Sequence, residues 1–151
     1  MPTYVTLLKY TEQGIKSIKE GPSRLEKARQ ALKSLGGELE RFRRGDDGRP
    51  FVLVQLLRFA EGGRDRYLQY SVQVQPILRS LGAQLIYGGE CVEPLVAGEA
   101  QAWDAVVLVR YPNRTAYAQL QADSAYQGIA QLRHAALREA VLLPMNDWPG
   151  R

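Results

Sequence analysis

Cysteine and histidine each occur once, as Cys91 and His134. A lone thiol excludes an intramolecular disulfide and fits a reducing cytosol, so a cytoplasmic location is expected. One His and one Cys cannot make a usual zinc set, and no metal or other cofactor is expected. Long apolar runs are missing too: Phe51–Leu57 and Ala105–Val109 are far too short to span a bilayer. Met1–Tyr4 runs straight into a strand-like pattern without a basic and then apolar leader, so no signal peptide is read. The glycine-rich dinucleotide fingerprint, the phosphate loop, the paired-histidine zinc helix and the serine nucleophile elbow are all absent. Nucleotide cofactors and serine hydrolysis therefore have no support.

What is present is an ordinary globular composition, 45% hydrophobic and 24% charged in 151 residues. A chain of that size buries roughly 70% of its unfolded surface and needs no staple to fold. The net charge of +4 is uneven. Through Arg44 there are ten Lys/Arg against five Asp/Glu; the remainder carries ten against eleven. Glu12, Glu20, Glu26, Glu38 and Glu40 interrupt the basic segment, which reads as a solvated helix face rather than a nucleic-acid footprint.

Tyr4–Tyr10 is rich in strand formers. Pro22 and Ser23 open a helix with Leu25, Ala28, Leu32 and Leu35 at helical spacing, and Gly36-Gly37 is expected to stop it. Glu38–Phe42 reads as a short strand and 45–50 as a linker. A second unit follows. Phe51–Phe59 is a strand, and Asp65–Leu81 a helix carrying Tyr67, Tyr70, Val74, Leu78 and Leu81 on one stripe, kinked at Pro76 and capped by Gly82. Ala83–Val92 is a strand with a bulge expected at Gly88-Gly89. Trp103–Tyr111 is a strand, Asn113 caps a short helix, and Ser124 with Gln127 forms a capping box for another through Ala136. Ala140–Leu143 is the last strand, ended by Pro144.

The order from residue 51 to 145 is βαββαβ, an α+β ferredoxin-like fold. The first 44 residues add a surplus βαβ half-unit, and 146–151 are a tail. Val5–Tyr10 aligns with Val54–Phe59, and Ser34–Leu39 with Ser80–Leu85, as expected of a repeated half. In such a sheet the first and third strands are central and helices cover one face. Neither strand alternates apolar with polar: Phe51, Leu53 and Leu57 oppose Val52, Val54 and Leu56, and Ala105, Val107 and Val109 oppose Val106 and Leu108. Both faces are expected to be dry, with a second copy of the sheet covering the one the helices leave, in a homodimer. The mid-strand positions are aliphatic rather than base-stacking aromatics, so neither nucleic acid nor membrane is an expected partner.

Several runs carry a family resemblance: Phe51–Phe59, Trp103-Asp104, Tyr111–Arg114, Asp123–Gln127 and Leu132–Ala136. Through them Phe51–Met145 resembles domain-of-unknown-function family 1330 of the dimeric α/β-barrel superfamily. Tyr4–Thr11 and Leu35–Gly37 resemble the opening half of a GYD domain of the same superfamily, without its Gly-Tyr-Asp portion. The chain thus resembles a natural fusion or a constructed chimera. The resemblance implies no established reaction; superfamily relatives include cofactor-free monooxygenases, polyketide cyclases, muconolactone isomerases and proteins without known activity.

Candidate chemistry rests on a few side chains. His134 titrates near neutrality unaided and is the natural general base, against the plainer reading of a cation near a helix C-terminus. Arg58 and Asp104 should meet at one end of the sheet as an ion pair, structural or orienting an acidic or phenolic substrate. Tyr70, Tyr87 and Tyr126 would offer hydroxyls to an enolate or phenolate, with Gln55 beside them, or else simply pack their rings. Cys91 has no basic neighbour to activate it. The expected function is a cytosolic homodimer binding an apolar or aromatic small molecule between sheet and helices. If it is an enzyme, metal-free acid–base chemistry is expected: a cyclase, an isomerase or a cofactor-free oxygenase. The rival is a non-enzymatic assembly module. A pocket of roughly 300 Å³ or more holding His134 or Arg58 favours the binder, and a closed, packed interior the rival.

Overall fold

The computed structural model describes residues 36–150. The strand and helix expected before residue 36 lie outside them. The order is β1 (Phe51–Phe59), α1 (Gly63–Ser80), β2 (Gln84–Glu90), β3 (Ala105–Tyr111), α2 (Arg114–Ala122), α3 (Ser124–Ala136) and β4 (Leu137–Met145). The four strands form an antiparallel sheet in the order β2-β3-β1-β4, with the first and third strands central as expected of a ferredoxin-like fold.

Register sorts the side chains. Phe51, Leu53, Gln55 and Leu57 pair with Tyr111, Val109, Val107 and Ala105 on β3. On the other side of β1, Leu53, Gln55 and Leu57 pair with Pro144, Leu142 and Ala140. These residues face the helices. Tyr67, Tyr70, Val74 and Leu78, one stripe of α1, close the core over them. The opposite face carries Val54 between Leu108 and Leu143, and Leu56 between Val106 and Val141. It is an apolar surface, and among the described residues no helix lies upon it.

Residues 36–44 are helical, not a glycine stop followed by a strand. Glu38 pairs with Arg41 at 2.7 Å, and Glu40 with Arg43 at 2.5 Å and with Arg44 at 3.4 Å, three- and four-residue spacings that only a helix brings together. Phe42 then packs edge-on against Phe51 and Tyr117, with the Arg114 guanidinium 4.9 Å from its ring. The following segment is tied down: the Asp46 carboxylate accepts from the Thr115 backbone N–H (3.0 Å) and hydroxyl (2.6 Å) at the start of α2.

Three other details depart from expectation. The bulge in β2 lies at Ile86, between Leu85 opposite Val109 and Tyr87 opposite Leu108, while Gly88 and Gly89 stay in register. The cap of α3 is Asp123, whose carboxylate accepts from the Tyr126 N–H at 2.9 Å, one residue before the expected Ser124. Pro144 does not end β4 but pairs opposite Leu53; an edge strand tolerates a residue without an N–H. Gly82 does follow α1 in the left-handed region, at φ 74°, and Asn113 caps α2 through the Ala116 N–H.

Candidate functional site

α3 is amphipathic with a 3.6-residue period, so Tyr126 and Arg133, seven apart, point the same way. Both are buried in the helix–sheet layer; Arg133 is 6% exposed. A guanidinium there is unusual, because a buried charge is costly unless paired. Its partners are the Gln55 side chain on β1, which accepts at 3.3 Å, and the Tyr67 hydroxyl on α1. Tyr126, Tyr70, Tyr67 and Tyr117 surround it with phenol oxygens. Among the described residues no carboxylate reaches ion-pair distance of Arg133. Burial works against its charge and the tyrosine oxygens favour it, with a net upward shift.

The tyrosines form two aromatic groups, Tyr67, Tyr70 and Tyr126 in one and Tyr111 and Tyr117 in the other. Ring centroids are 5.4 Å apart for Tyr67 and Tyr70, 6.4 Å for Tyr70 and Tyr126, and 5.4 Å for Tyr111 and Tyr117. Burial pushes the hydroxyl pKa of Tyr67 up, and those of Tyr70 and Tyr111 well up, so all three are neutral phenols at physiological pH. A cavity of about 30 Å³ opens beside them, lined by Gln55, Tyr67, Tyr70 and Ser71 and by apolar side chains including Val74, Val107 and Tyr111. A second hollow of about 130 Å³ lies at the surface where α1 meets β2, among Gln75, Arg79 and Gln84, and contains none of the residues singled out in the sequence.

The structure brings three of the seven candidates together: Gln55, Tyr70 and Tyr126 gather around Arg133. The other four lie elsewhere. His134 is exposed, one helical step round from Arg133, and does not line the cavity; partial desolvation and then Arg133 hold its pKa below the ordinary imidazole value. Tyr87 is 60% exposed on the helix-free face, its ring lying across Gly89.

Arg58 and Asp104 reach the same end of the sheet but do not pair. β-register sets Arg58 opposite Glu139, and the two form an ion pair. Arg58 also donates to the carbonyls of Ala100 (2.5 Å) and Ala102 (3.0 Å) and lies 4.1 Å from the Trp103 ring. Asp104 instead accepts from the Phe59 N–H at 2.7 Å. Both fasten the loop before β3. Arg133 is not among the residues singled out in the sequence; its place seven residues after Tyr126, on the inward stripe of α3, is the signal that marks it.

Comparison with known proteins agrees with this architecture. The chain belongs to the family described as domain of unknown function (DUF1330), whose model matches residues 57–145. Residues 4–43 match the GYD domain. A crystal structure of a protein of unknown function from Rhodopseudomonas palustris has 22% identity and a TM-score of 0.66, over 74% of this chain and 92% of that one. A dimeric ferredoxin-like protein of unknown function from Jannaschia sp. has 12% identity and a TM-score of 0.52, over 65% and 99%. Hydroxynitrile lyase from Passiflora edulis also has 12% identity and a TM-score of 0.52, over 67% and 97%. No functionally curated protein is similar to the chain. At these identities the likeness shows a shared ferredoxin-like fold and nothing of activity. Among the described residues, no helix is long and apolar enough to cross a membrane.

Proposed function

We propose that this family member works as a homodimer, sheet face to sheet face, and that each protomer holds a small, largely apolar or aromatic molecule between its sheet and helices. The observation that carries the binding reading is Arg133: a cation in the core, with neutral phenols and an amide about it and no carboxylate of the described chain to balance it. Evolving stability alone would favour an apolar side chain at that position, since replacing buried ionic groups by hydrophobic ones is often neutral or stabilising. A group that a bound molecule completes accounts for its presence.

The dimer is supported by the apolar helix-free face centred on Val54, Leu108 and Leu143, and by the similarly folded Jannaschia protein, itself dimeric. A second reading has a specific observation behind it. The cavity is about 30 Å³, a tenth of a molecule-sized pocket, and neither His134 nor Arg58 lines it, which favours an assembly module filled by its own side chains. Under the binding reading α1 and the sheet must part to admit the body of the molecule. The cavity gives acid–base catalysis by His134 no support, since that side chain is outside its lining.

A fragment screen by NMR on the isotope-labelled full chain separates the two readings. Binding predicts that aromatic fragments at millimolar concentration shift the signals of Gln55, Tyr67 and Tyr70 together. Fragments that leave these signals unmoved, or move only those around Arg79, would establish the assembly module.

A further inference from the structure

We propose that the group received at this site is a monovalent carboxylate, held by the Arg133 guanidinium with tyrosine hydroxyls as further donors. The inference rests on the binding reading above and narrows it to a ligand class. Three independent observations lead to it.

The first is charge. Tyr67, Tyr70 and Tyr111 are kept protonated by burial, and Gln55 is neutral, so the cluster carries the single positive charge of Arg133. One negative charge balances it. A dianion such as phosphate would leave an uncompensated charge in a medium of low dielectric.

The second is shape. A guanidinium presents a planar fork of N–H donors that matches two carboxylate oxygens side by side, and charge-assisted bonds of that kind are the strong ones. Held within a helix that is anchored by the Asp123 cap, Arg133 is pre-positioned to offer it.

The third is size. Gln55 and Tyr67, the two hydrogen-bond partners of Arg133, line the cavity while Arg133 itself does not. The guanidinium thus lies one hydrogen bond behind that wall, and a carboxylate would reach it by taking the place of one of those partners. Each water-sized atom needs roughly 10–15 Å³ of such volume. The 30 Å³ present therefore accommodates about two, the number of oxygens in a carboxylate. The apolar side chains of Val74 and Val107 continue the lining beyond the polar end, where an alkyl or aryl body would lie.

The test compares carboxylates with their neutral amides on the full chain at constant ionic strength: acetate against acetamide, and benzoate against benzamide, by calorimetry or NMR titration. Each carboxylate should bind at least roughly tenfold more tightly than its amide, and Arg133→Gln should erase that preference while Arg133→Lys keeps part of it. If the amides bind as tightly as the carboxylates, the charge inference fails and the binding reading stands. If none of the four binds, the binding reading fails and this inference with it. Should Arg133→Gln not fold, as judged by circular dichroism, the wild-type comparison decides on its own.

Discussion

Asp46 shows how much one side chain on an apparent linker can do. Its carboxylate takes two hydrogen bonds from Thr115 and one from the Gly48 N–H, joining the segment before β1 to the start of α2. The Thr115 hydroxyl, chiefly, and these backbone donors lower its pKa to about 2 from an ordinary 3.8. A carboxylate whose folded pKa is depressed contributes stability above the unfolded value, and that contribution is lost as pH falls through the folded one. Asp46→Asn should therefore melt below wild type at pH 7, with the gap closing between about pH 4 and pH 2. Melting curves that stay parallel down to pH 2 would contradict the assignment. Single residues were also where the sequence misled. His134 drew attention because imidazole titrates near neutrality, whereas Arg133 announced nothing except its phase on the helix. Arg58 and Asp104 were correctly sent to one end of the sheet, but the choice of Glu139 as the partner depends on β4 register, which short-range pattern does not fix.

At the scale of elements, the strands of the central pair and the stripe of α1 were legible because long, strongly periodic runs leave little choice. Errors fell where two local signals competed. Gly36-Gly37 is a good helix stop, yet both glycines are helical, and the Glu and Arg spacing after them, with Phe42 to bury, keeps residues 36–44 a helix. Glycines at 88 and 89 invited a bulge that Ile86 takes instead. One glycine is required by packing alone: a Cβ on Gly63 would lie 2.0 Å from the Ala136 carbonyl oxygen, where the start of α1 meets the end of α3. Neither backbone can yield without moving its helix. Gly63→Ala should cost about 1–3 kcal/mol or more, an overpacking penalty. Gly128→Ala, on the exposed side of α3, has nothing within 4 Å and should stabilise by up to about 1 kcal/mol through helix propensity. Thermal denaturation of the two variants checks both signs; a neutral Gly63→Ala would mean that α1 and α3 are less closely docked.

For the molecule as a whole, the fold and its family could be read from residue order, but the occupant of the second sheet face could not, since an apolar face specifies only that something covers it. Val54, with Leu108 on one side and Leu143 on the other, sits at the centre of that face, and Tyr87, Ile86 and Met145 at its margins are 60%, 43% and 49% exposed. Exposed apolar groups at the rim of a dry strip are what a second sheet would enclose, packing about 10 Å away. Leu108 is only half-buried within one protomer, so an aspartate there can be solvated in a monomer without disturbing the helix-side core. In a sheet-to-sheet dimer the same aspartate meets its copy across a dry interface, at a cost of several kcal/mol per buried ion. Light scattering at micromolar concentration should accordingly give twice the chain mass for wild type and the single-chain mass for Leu108→Asp, with unchanged far-ultraviolet circular dichroism. A dimer that survives the substitution would place the contact on another surface. A monomeric wild type would mean that the face is covered from within the chain.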